Sequence, residues 1–260
     1  MQNFSLLQHK PLVLDGDPFP YAVIEGALPD ELYLKLASTF PTSSVTQEML
    51  QKENHRVDLI SSWGPSIYPA SFADEPWQQF IRQHSHNCFA RQVVNLFMDS
   101  LESLGDRLHQ PMPRLFRPFA GTRSSFDPDS IKVRVTLAVN TPSTECLQVR
   151  GPHVDNKLKA FVGLYYLREE GDSSVGGDLC LYRWRDSTKR HPRWPKKIDD
   201  GEVEVLRTVR YEANKLVIFM NTDNSIHGVT HRDPSSAFRR FVVVSGWFSE
   251  GFRQQMSRKK

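Results

Sequence analysis

The sequence predicts a mainly β fold in which helices come first, so that a β-barrel or sandwich is supported by helices from the N-terminal half. Two patterns indicate this order: apolar residues recur at helical spacing over 75–104, and short runs rich in Val, Ile, Leu and aromatic residues follow residue 130. The length of 260 residues and the hydrophobic share of 39% are typical of one globular domain. We expect leading strands and supporting helices in 1–125, the β core in 126–250 and a basic tail in 251–260.

The N-terminal half contains one predicted strand and several helical segments. Residues 18–29 (PFPYAVIEGALP) favour a short strand and a turn, because aromatic, β-branched and flanking proline residues prefer extended backbone. Asp30 is then predicted to cap a helix. Over 75–104 the three- and four-residue spacing of apolar side chains predicts one long amphipathic helix, or two helices in series.

Six β-rich runs follow a proline-rich hinge around residues 111–118. Turn residues bound each run, and Gly176 and Gly177 are predicted to make a tight turn before the third. No GxxxxGK[ST] or GxGxxG motif occurs, so a phosphate-binding loop is not expected. The six predicted strands are 131–139, 159–167, 177–184, 201–209, 215–220 and 240–248.

Composition excludes several classes of protein. The three cysteines are odd in number and widely spaced, which argues against a disulfide framework or a zinc ribbon and predicts buried, reduced thiols. A net charge of +3 does not by itself suggest a nucleic-acid partner. No run approaches the roughly 18 apolar residues of a membrane helix, and the first residues lack the pattern of a secretory signal. We therefore expect a cytoplasmic protein with no membrane partner.

Three residues have the composition of a mononuclear iron(II) site. His153 and Asp155 lie two positions apart in GPHVDN, so in extended backbone both side chains point the same way. His227, which follows the apolar run KLVIFM, is the predicted third ligand, and we favour it over His231, which lies in the polar run THRDPSS. Two imidazoles and one carboxylate leave three positions of an octahedral iron(II) open for a cosubstrate and dioxygen.

A competing group of possible ligands, His84, His86 and Cys88, falls in the predicted helix. Residues two apart do not share a helix face, so only His84 and Cys88 could cooperate there, and we interpret this group as helix-surface polarity.

An arginine at the start of the last strand suggests an anion site. A buried arginine needs a carboxylate or an equivalent partner, and the distal carboxylate of 2-oxoglutarate would provide one. Strand alternation directs at least one of Arg239 and Arg240 outward. We favour Arg240 for this role and leave Arg239 open. Tyr166 could add a phenolic hydrogen bond to the same carboxylate.

The order and spacing of five runs resemble the catalytic core of the iron(II)- and 2-oxoglutarate-dependent dioxygenases of the prolyl-hydroxylase-like type, over roughly residues 130–250. The N-terminal segment PFPYAVIEGALPDELYLKL is also similar to the leading segment of small, mostly microbial members. The resemblance implies a double-stranded β-helix, or jelly roll, supported by helices. The five runs are GPHVDN, FVGLYYLREE, GGDLCLY, NKLVIFMNTDNSIHGV and RRFVVVSGWF.

The same resemblance implies roles for individual residues. Arg240 aligns without gaps with the arginine that binds 2-oxoglutarate, and Tyr166 aligns with a tyrosine that assists it. Two departures from the family pattern are the doubled arginine, which leaves Arg239 possible, and Asn140, which stands where many relatives carry a tyrosine. The implied iron ligands are His153, Asp155 and His227.

The implied activity is hydroxylation of an unactivated C–H bond with Fe(II), 2-oxoglutarate and dioxygen, releasing succinate and CO2. A carboxylate at Asp155 favours hydroxylation over halogenation, because a small residue stands there in related halogenases. The substrate would be a small molecule, a sugar or a peptidyl group. The basic run 183–197, with seven Lys or Arg and two Trp, suggests an anionic substrate, although we favour its interpretation as a solvated loop balanced by acidic residues downstream.

Two other classes of function compete with this reading. One is a non-catalytic jelly roll that binds a metal or a metabolite. The other is a nucleic-acid protein that uses the basic run, but two tryptophans are too few for a stacking platform.

Overall fold

Two sheets form the core of the protein in a computed structural model that describes residues 4–104, 131–156, 158–186, 188, 197–222 and 224–249. The helices are α1 (Asp30–Ser38), α2 (Gln47–Leu50), α3 (Glu75–Ser85) and α4 (Asn87–Leu104). The strands are β1 (Val13–Asp15), β2 (Tyr21–Glu25), β3 (Arg56–Ser61), β4 (Tyr68–Pro69), β5 (Ile131–Asn140), β6 (Lys159–Tyr166), β7 (Leu179–Trp184), β8 (Val203–Val209), β9 (Lys215–Met220), β10 (His227–Val229) and β11 (Arg239–Phe248).

From β5 onward the chain crosses repeatedly between the two sheets. The larger sheet has the order β1-β2-β9-β6-β11-β5-β3-β4, and the smaller has the order β10-β7-β8. Along the chain, β5, β6, β9 and β11 therefore lie in the larger sheet, whereas β7, β8 and β10 lie in the smaller. Every pairing except β3 with β4 is antiparallel. Two facing antiparallel sheets joined by such crossings are typical of a double-stranded β-helix, and the predicted fold class is confirmed.

The predicted elements are found with small shifts at their ends. All six predicted strands are present as β5 to β9 and β11, and the 75–104 helix is two helices in series that break at His86. Asp30 is not an N-cap: it is the first residue of α1, and the preceding Pro29 makes no capping side-chain bond. The sequence analysis missed β1, β3 and β4, which are short or partly polar.

The larger sheet buries both faces. One face packs against the helices in what we call the helix-side core, which includes Trp77, Phe80 and Val242. The other face packs against the smaller sheet and forms the inter-sheet interior, which includes Tyr166 and Phe241. Because side chains alternate along a strand, neighbouring residues of β11 enter different cores.

Several predicted features lie outside the described residues: the proline-rich hinge at 111–118, most of the basic run 183–197 and the tail 251–260. The prediction of buried thiols is right for Cys180 but wrong for Cys88 and Cys146, which are exposed. Within the described ranges, no helix is both long and apolar enough to cross a membrane.

Candidate metal centre

The three predicted ligands meet at one edge of the inter-sheet interior. His153, Asp155 and His227 are all buried, and each offers a ligand atom within 4.8 Å of the others. The two histidines are held together by their backbones, because each N–H donates to the other's carbonyl at 2.9 Å. The side chain of Asp155 then reaches both rings: its Oδ1 lies 4.0 Å from His153 Nε2 and its Oδ2 lies 3.7 Å from His227 Nε2.

Backbone carbonyls orient both imidazole rings. The Nδ1 of His153 donates to the Gly151 carbonyl and the Nδ1 of His227 donates to the Ser225 carbonyl, both at 2.9 Å. In the neutral ring, a proton on Nδ1 leaves the Nε2 lone pair free. Both free lone pairs therefore point toward Asp155, as metal binding requires.

Charge and burial keep the three groups in the forms that bind a cation. Burial lowers the pKa of His153 to about 2, with repulsion from His227 and Arg150 adding to the effect. Burial also lowers the pKa of His227, although Asp155 opposes that shift. For Asp155, burial would raise the pKa, but the nearby Lys159 and the two histidines together hold it well below its ordinary value. Two neutral imidazoles and one carboxylate are the donor set of a facial iron(II) site, so the residues fit that ion.

A glycine lets the two ligand segments approach each other. A Cβ on Gly228 would lie 2.9 Å from the backbone carbon and oxygen of Gly151. Any side chain there would therefore separate β10 from the His153 segment. The sequence analysis missed this residue, although its position directly after His227 in SIHGV is a usable signal.

The competing histidines do not join the site. His231 is exposed. His84 is completely buried in the helix-side core, whereas Cys88 is exposed on α4, so the interpretation of this group as helix-surface polarity is wrong for His84. The break between α3 and α4 separates the two residues.

Arg240, the favoured 2-oxoglutarate residue, is directed toward the helix-side core. Its Nε donates to the Leu167 carbonyl at 3.0 Å, and its Nη1 donates to the Ala37 carbonyl at 3.2 Å and pairs with Glu169 at 2.8 Å. Its guanidinium also stacks over Phe40, 5.5 Å from the ring centre. Protein groups thus satisfy Arg240 on the face of the sheet opposite to the metal ligands.

Arg239 faces the inter-sheet interior instead. Its guanidinium carbon lies 4.8 to 5.1 Å from the ring centres of Tyr166, Tyr211 and Phe241. The Nε donates to the Gly177 carbonyl at 2.8 Å, but Nη2 is buried and has no hydrogen-bond partner in the described part of the chain. A buried N–H of this kind is costly unless a ligand satisfies it.

Tyr166 completes this arrangement. It is fully buried, and its hydroxyl lacks a hydrogen-bond partner among the described residues. Burial raises its pKa, with the charge of Arg239 acting in the opposite direction, so the phenol keeps its proton and can donate. Arg239 and Tyr166 together offer two unused donors in an aromatic enclosure, which suits a carboxylate.

Residues around Arg239 explain why it is so confined. Gly176 and Gly177 make the predicted turn, with φ of 81° and 72°. A Cβ on Gly177 would lie 3.1 Å from Arg239 Cδ. Asn140 lies opposite Arg239 on β5 and is buried, where it donates to the Asn54 carbonyl at 3.4 Å. Tyr211, which the sequence analysis missed, lies in a loop between β8 and β9 that carries no motif.

Cationic side chains border the carboxylate of the triad. Lys159 Nζ lies 3.2 Å from Asp155 Oδ2, and Arg150 Nη1 lies 3.9 Å from Oδ1 with 53% of its side chain exposed. Lys159 Nζ also lies 5.4 Å from the ring centre of Trp247, the residue opposite Lys159 where β6 pairs with β11. The solvent side of the site is therefore positive and partly aromatic.

Comparison with known proteins gives matches at the level of structure. No family model and no curated protein matches the sequence. A prolyl-4-hydroxylase of Pseudomonas putida aligns at 17% identity over 88% of this chain and 86% of its own, with a TM-score of 0.39. A prolyl hydroxylase of Trichoplax adhaerens, solved with a hypoxia-inducible-factor peptide, aligns at 16% identity over 90% and 86%, with a TM-score of 0.43. The Fe(II)/(alpha)ketoglutarate-dependent dioxygenase TqaL aligns at 11% identity over 89% and 84%, with a TM-score of 0.47. At this level of similarity, function has to be inferred from the chain's own residues.

Proposed function

We propose that this protein is an iron(II)- and 2-oxoglutarate-dependent dioxygenase that hydroxylates an unactivated C–H bond of a small-molecule, sugar or peptidyl substrate. One observation carries the proposal: two imidazoles with free Nε2 atoms and one ionised carboxylate converge within 4.8 Å in a buried position. When bound there, iron(II) would supply the oxidative chemistry that couples C–H hydroxylation by dioxygen to conversion of 2-oxoglutarate into succinate and CO2.

The chain's own residues hold and orient the reactants. His153, Asp155 and His227 would bind the metal on one face and leave the opposite face open. Arg239 and Tyr166 would bind the distal carboxylate of 2-oxoglutarate through donors that have no other partner in the described part of the chain. We therefore assign to Arg239 the role that the sequence analysis favoured for Arg240.

The wall between these two groups is apolar. Phe219 lies 4.7 Å from the His227 ring, and Leu179, Leu181 and Phe219 belong to the same core cluster as Tyr166. Such a wall excludes water and strengthens the interaction between a bound carboxylate and Arg239.

The metal assignment is tested by anaerobic Fe(II) or Mn(II) titration of the protein and of its His153→Ala, Asp155→Ala and His227→Ala variants. We expect each substitution to weaken metal binding at least roughly 10- to 100-fold, since one of three ligands is lost. His231→Ala is the matched control and should bind as the wild type does. Unchanged binding in Asp155→Ala would overturn the assignment.

A succinate assay separates the enzyme from the non-catalytic alternative. With Fe(II), 2-oxoglutarate and dioxygen, the enzyme is expected to release succinate, and a true substrate should increase the rate. A protein that binds the metal and 2-oxoglutarate but forms no succinate under any condition would instead be a binding module.

A matched pair of variants tests the assignment of the arginine. Arg239→Gln is expected to weaken 2-oxoglutarate binding roughly 30-fold or more while sparing the metal, because a buried charge pair is lost. Arg240→Gln should leave the affinity for 2-oxoglutarate near the wild-type value and reduce stability instead. The opposite pattern would return the role to Arg240.

The border of the site favours a substrate that carries an acidic group. Arg150 is half exposed, and its ion pair with Asp155 is long, at 3.9 Å, so its guanidinium is available to a ligand. Candidate substrates should be compared as pairs of a carboxylic acid and its amide in the succinate assay. We expect the acid to be preferred, and Arg150→Gln to remove that preference. Equal turnover of both members of every pair would contradict the proposal.

A further inference from the structure

Unsatisfied buried polar groups concentrate around Arg239. Beside Arg239 Nη2 and the Tyr166 hydroxyl, two further donors, Nε and Nη1 of Arg232, are buried without a hydrogen-bond partner in the described part of the chain. Arg232 is only 1% exposed, and its remaining group, Nη2, donates to the Ala237 carbonyl at 2.7 Å and to Ser235 Oγ at 3.3 Å. Of the three guanidinium nitrogens, one is thus held by the protein and two are unused.

Arg232 and Arg239 flank the same glycine. A Cβ on Gly177 would lie 3.1 Å from Arg239 Cδ and 3.6 Å from Arg232 Cδ. The two side chains therefore run side by side, and the backbone of Arg232 is fixed there by its bridges to Gly176 and Leu147. Burial lowers the pKa of Arg232 and the charge of Arg239 acts in the same direction, which favours an anion between or beside the two groups.

No carboxylate among the described residues forms an ion pair with either guanidinium group. Within those residues, neither Arg232 nor Arg239 has a carboxylate within 4.0 Å. Asp172 is the acidic residue whose charge acts most strongly on Arg232, but its Oδ2 accepts no hydrogen bond and lies 3.6 Å from Arg168. Arg168 itself donates to the carbonyls of Asp172, Ser174 and Tyr211, so it is fully occupied in the structure.

We propose that Arg232 is a second guanidinium group of the 2-oxoglutarate site, which binds the distal carboxylate together with Arg239 and Tyr166. This inference rests on the proposed function and extends it, because a pocket with two arginines selects strongly for 2-oxo acids that carry a second carboxylate. Arg232 would thus be a specificity-determining residue. Nothing in the sequence pattern marked it, since it lies in the polar run THRDPSS.

Binding of two probes to the Mn(II)-loaded, full-length protein tests this role by calorimetry under anaerobic conditions. The probes are 2-oxoglutarate and oxalate, which can chelate the metal but has no distal carboxylate. Arg232→Gln is expected to weaken 2-oxoglutarate binding roughly 10- to 100-fold, as for a lost hydrogen bond to a charged group, and to leave oxalate binding unchanged. Arg168→Gln, a change at a neighbouring structural arginine, should affect both probes alike or neither.

Each outcome distinguishes the inference from the function on which it rests. If the wild type binds Mn(II) but no 2-oxoglutarate, the proposed function fails. If the wild type binds 2-oxoglutarate and Arg232→Gln binds it equally well, or loses both probes to the same extent, the role of Arg232 is refuted and the function stands. Should Arg232→Gln not fold, Arg232→Lys replaces it, because Lys keeps the charge and loses the fork; the same selective loss of 2-oxoglutarate is then required.

Discussion

The buried histidine of the helix-side core makes the stability of the protein depend on pH. His84 is fully buried against Phe80, whose ring centre is 4.1 Å away. Its Nδ1 donates to the Phe80 carbonyl at 2.9 Å, and its Nε2 accepts from the backbone N–H of Leu6 at 3.1 Å. Protonation of Nε2 would place a proton against that N–H inside an apolar core. Burial accordingly lowers the pKa of His84 to about 4.

The size and direction of the effect follow from this pKa. The unfolded chain binds a proton at His84 near the ordinary histidine pKa of about 6.5, whereas the folded chain resists it down to about 4. The contribution of neutral His84 to stability is therefore complete above about pH 6.5 and is lost as the pH falls toward 4. Linkage gives a loss of about 2 kcal/mol between pH 7.5 and pH 5, and about 3 kcal/mol once the pH is below 4.

Urea denaturation of the metal-free protein at pH 7.5 and pH 5 measures this loss. The histidines of the metal centre also contribute to the pH dependence, so the informative quantity is the difference between the wild type and His84→Gln. We expect the wild type to lose about 2 kcal/mol more than the variant over this interval. His9→Gln, at an exposed position, should behave as the wild type does. If His84→Gln loses as much stability as the wild type, the buried histidine is not the cause.

Three further predictions concern close contacts and the metal. Gly177→Ala should lower the free energy of unfolding by about 1–2 kcal/mol, measured by urea denaturation, because Gly177 has a positive φ. The same change should weaken 2-oxoglutarate binding, measured by calorimetry, because the new Cβ would lie 3.1 Å from Arg239 Cδ. Unchanged binding would contradict the importance of that contact. Gly246→Ala should destabilise the fold by about 1–3 kcal/mol, since its Cβ would lie 2.3 Å from the buried ring of Phe161. Gly163→Ala, whose Cβ would have contacts no closer than 3.5 Å, is the control that should be tolerated. Equal denaturation midpoints for the two variants would refute the predicted clash. Mn(II) at 100 times its dissociation constant should stabilise the wild type by about 2.7 kcal/mol in thermal or urea denaturation and should not stabilise the variant that lacks the triad carboxylate.

Local patterns predicted the order of elements and two of the three candidate ligands with little help from tertiary structure. The β-rich runs after residue 130 became strands because each combines β-favouring residues with turn residues at its ends. His153 and Asp155 point the same way because a period of two is built into extended backbone. The short β3 and β4 escaped prediction, since their pairing with β5 and with each other depends on residues distant in sequence.

Long-range pairing determined the rest of the candidate site. In Arg239–Arg240 strand alternation established that at least one arginine points outward, and the ungapped family resemblance favoured Arg240 for 2-oxoglutarate. The register decides which face each one takes: Phe241 lies opposite Tyr166, which places Arg239 on the face of that tyrosine and Arg240 on the face of the helices. Such a choice depends on which residues pair between strands far apart in the chain, and no local signal encodes it.

The sequence by itself thus predicted a β-barrel or sandwich after N-terminal helices, the candidate metal ligands and an arginine for an anion, because backbone periodicity and side-chain chemistry are local properties. The double-stranded β-helix was implied by the family resemblance. Tertiary structure alone decided that Arg239 faces the inter-sheet interior, that Tyr211 encloses it, and that Arg232 lies beside it with unused donors. These residues come from separate loops and strands, and they meet only because the two sheets and the Gly176–Gly177 turn bring their backbones together.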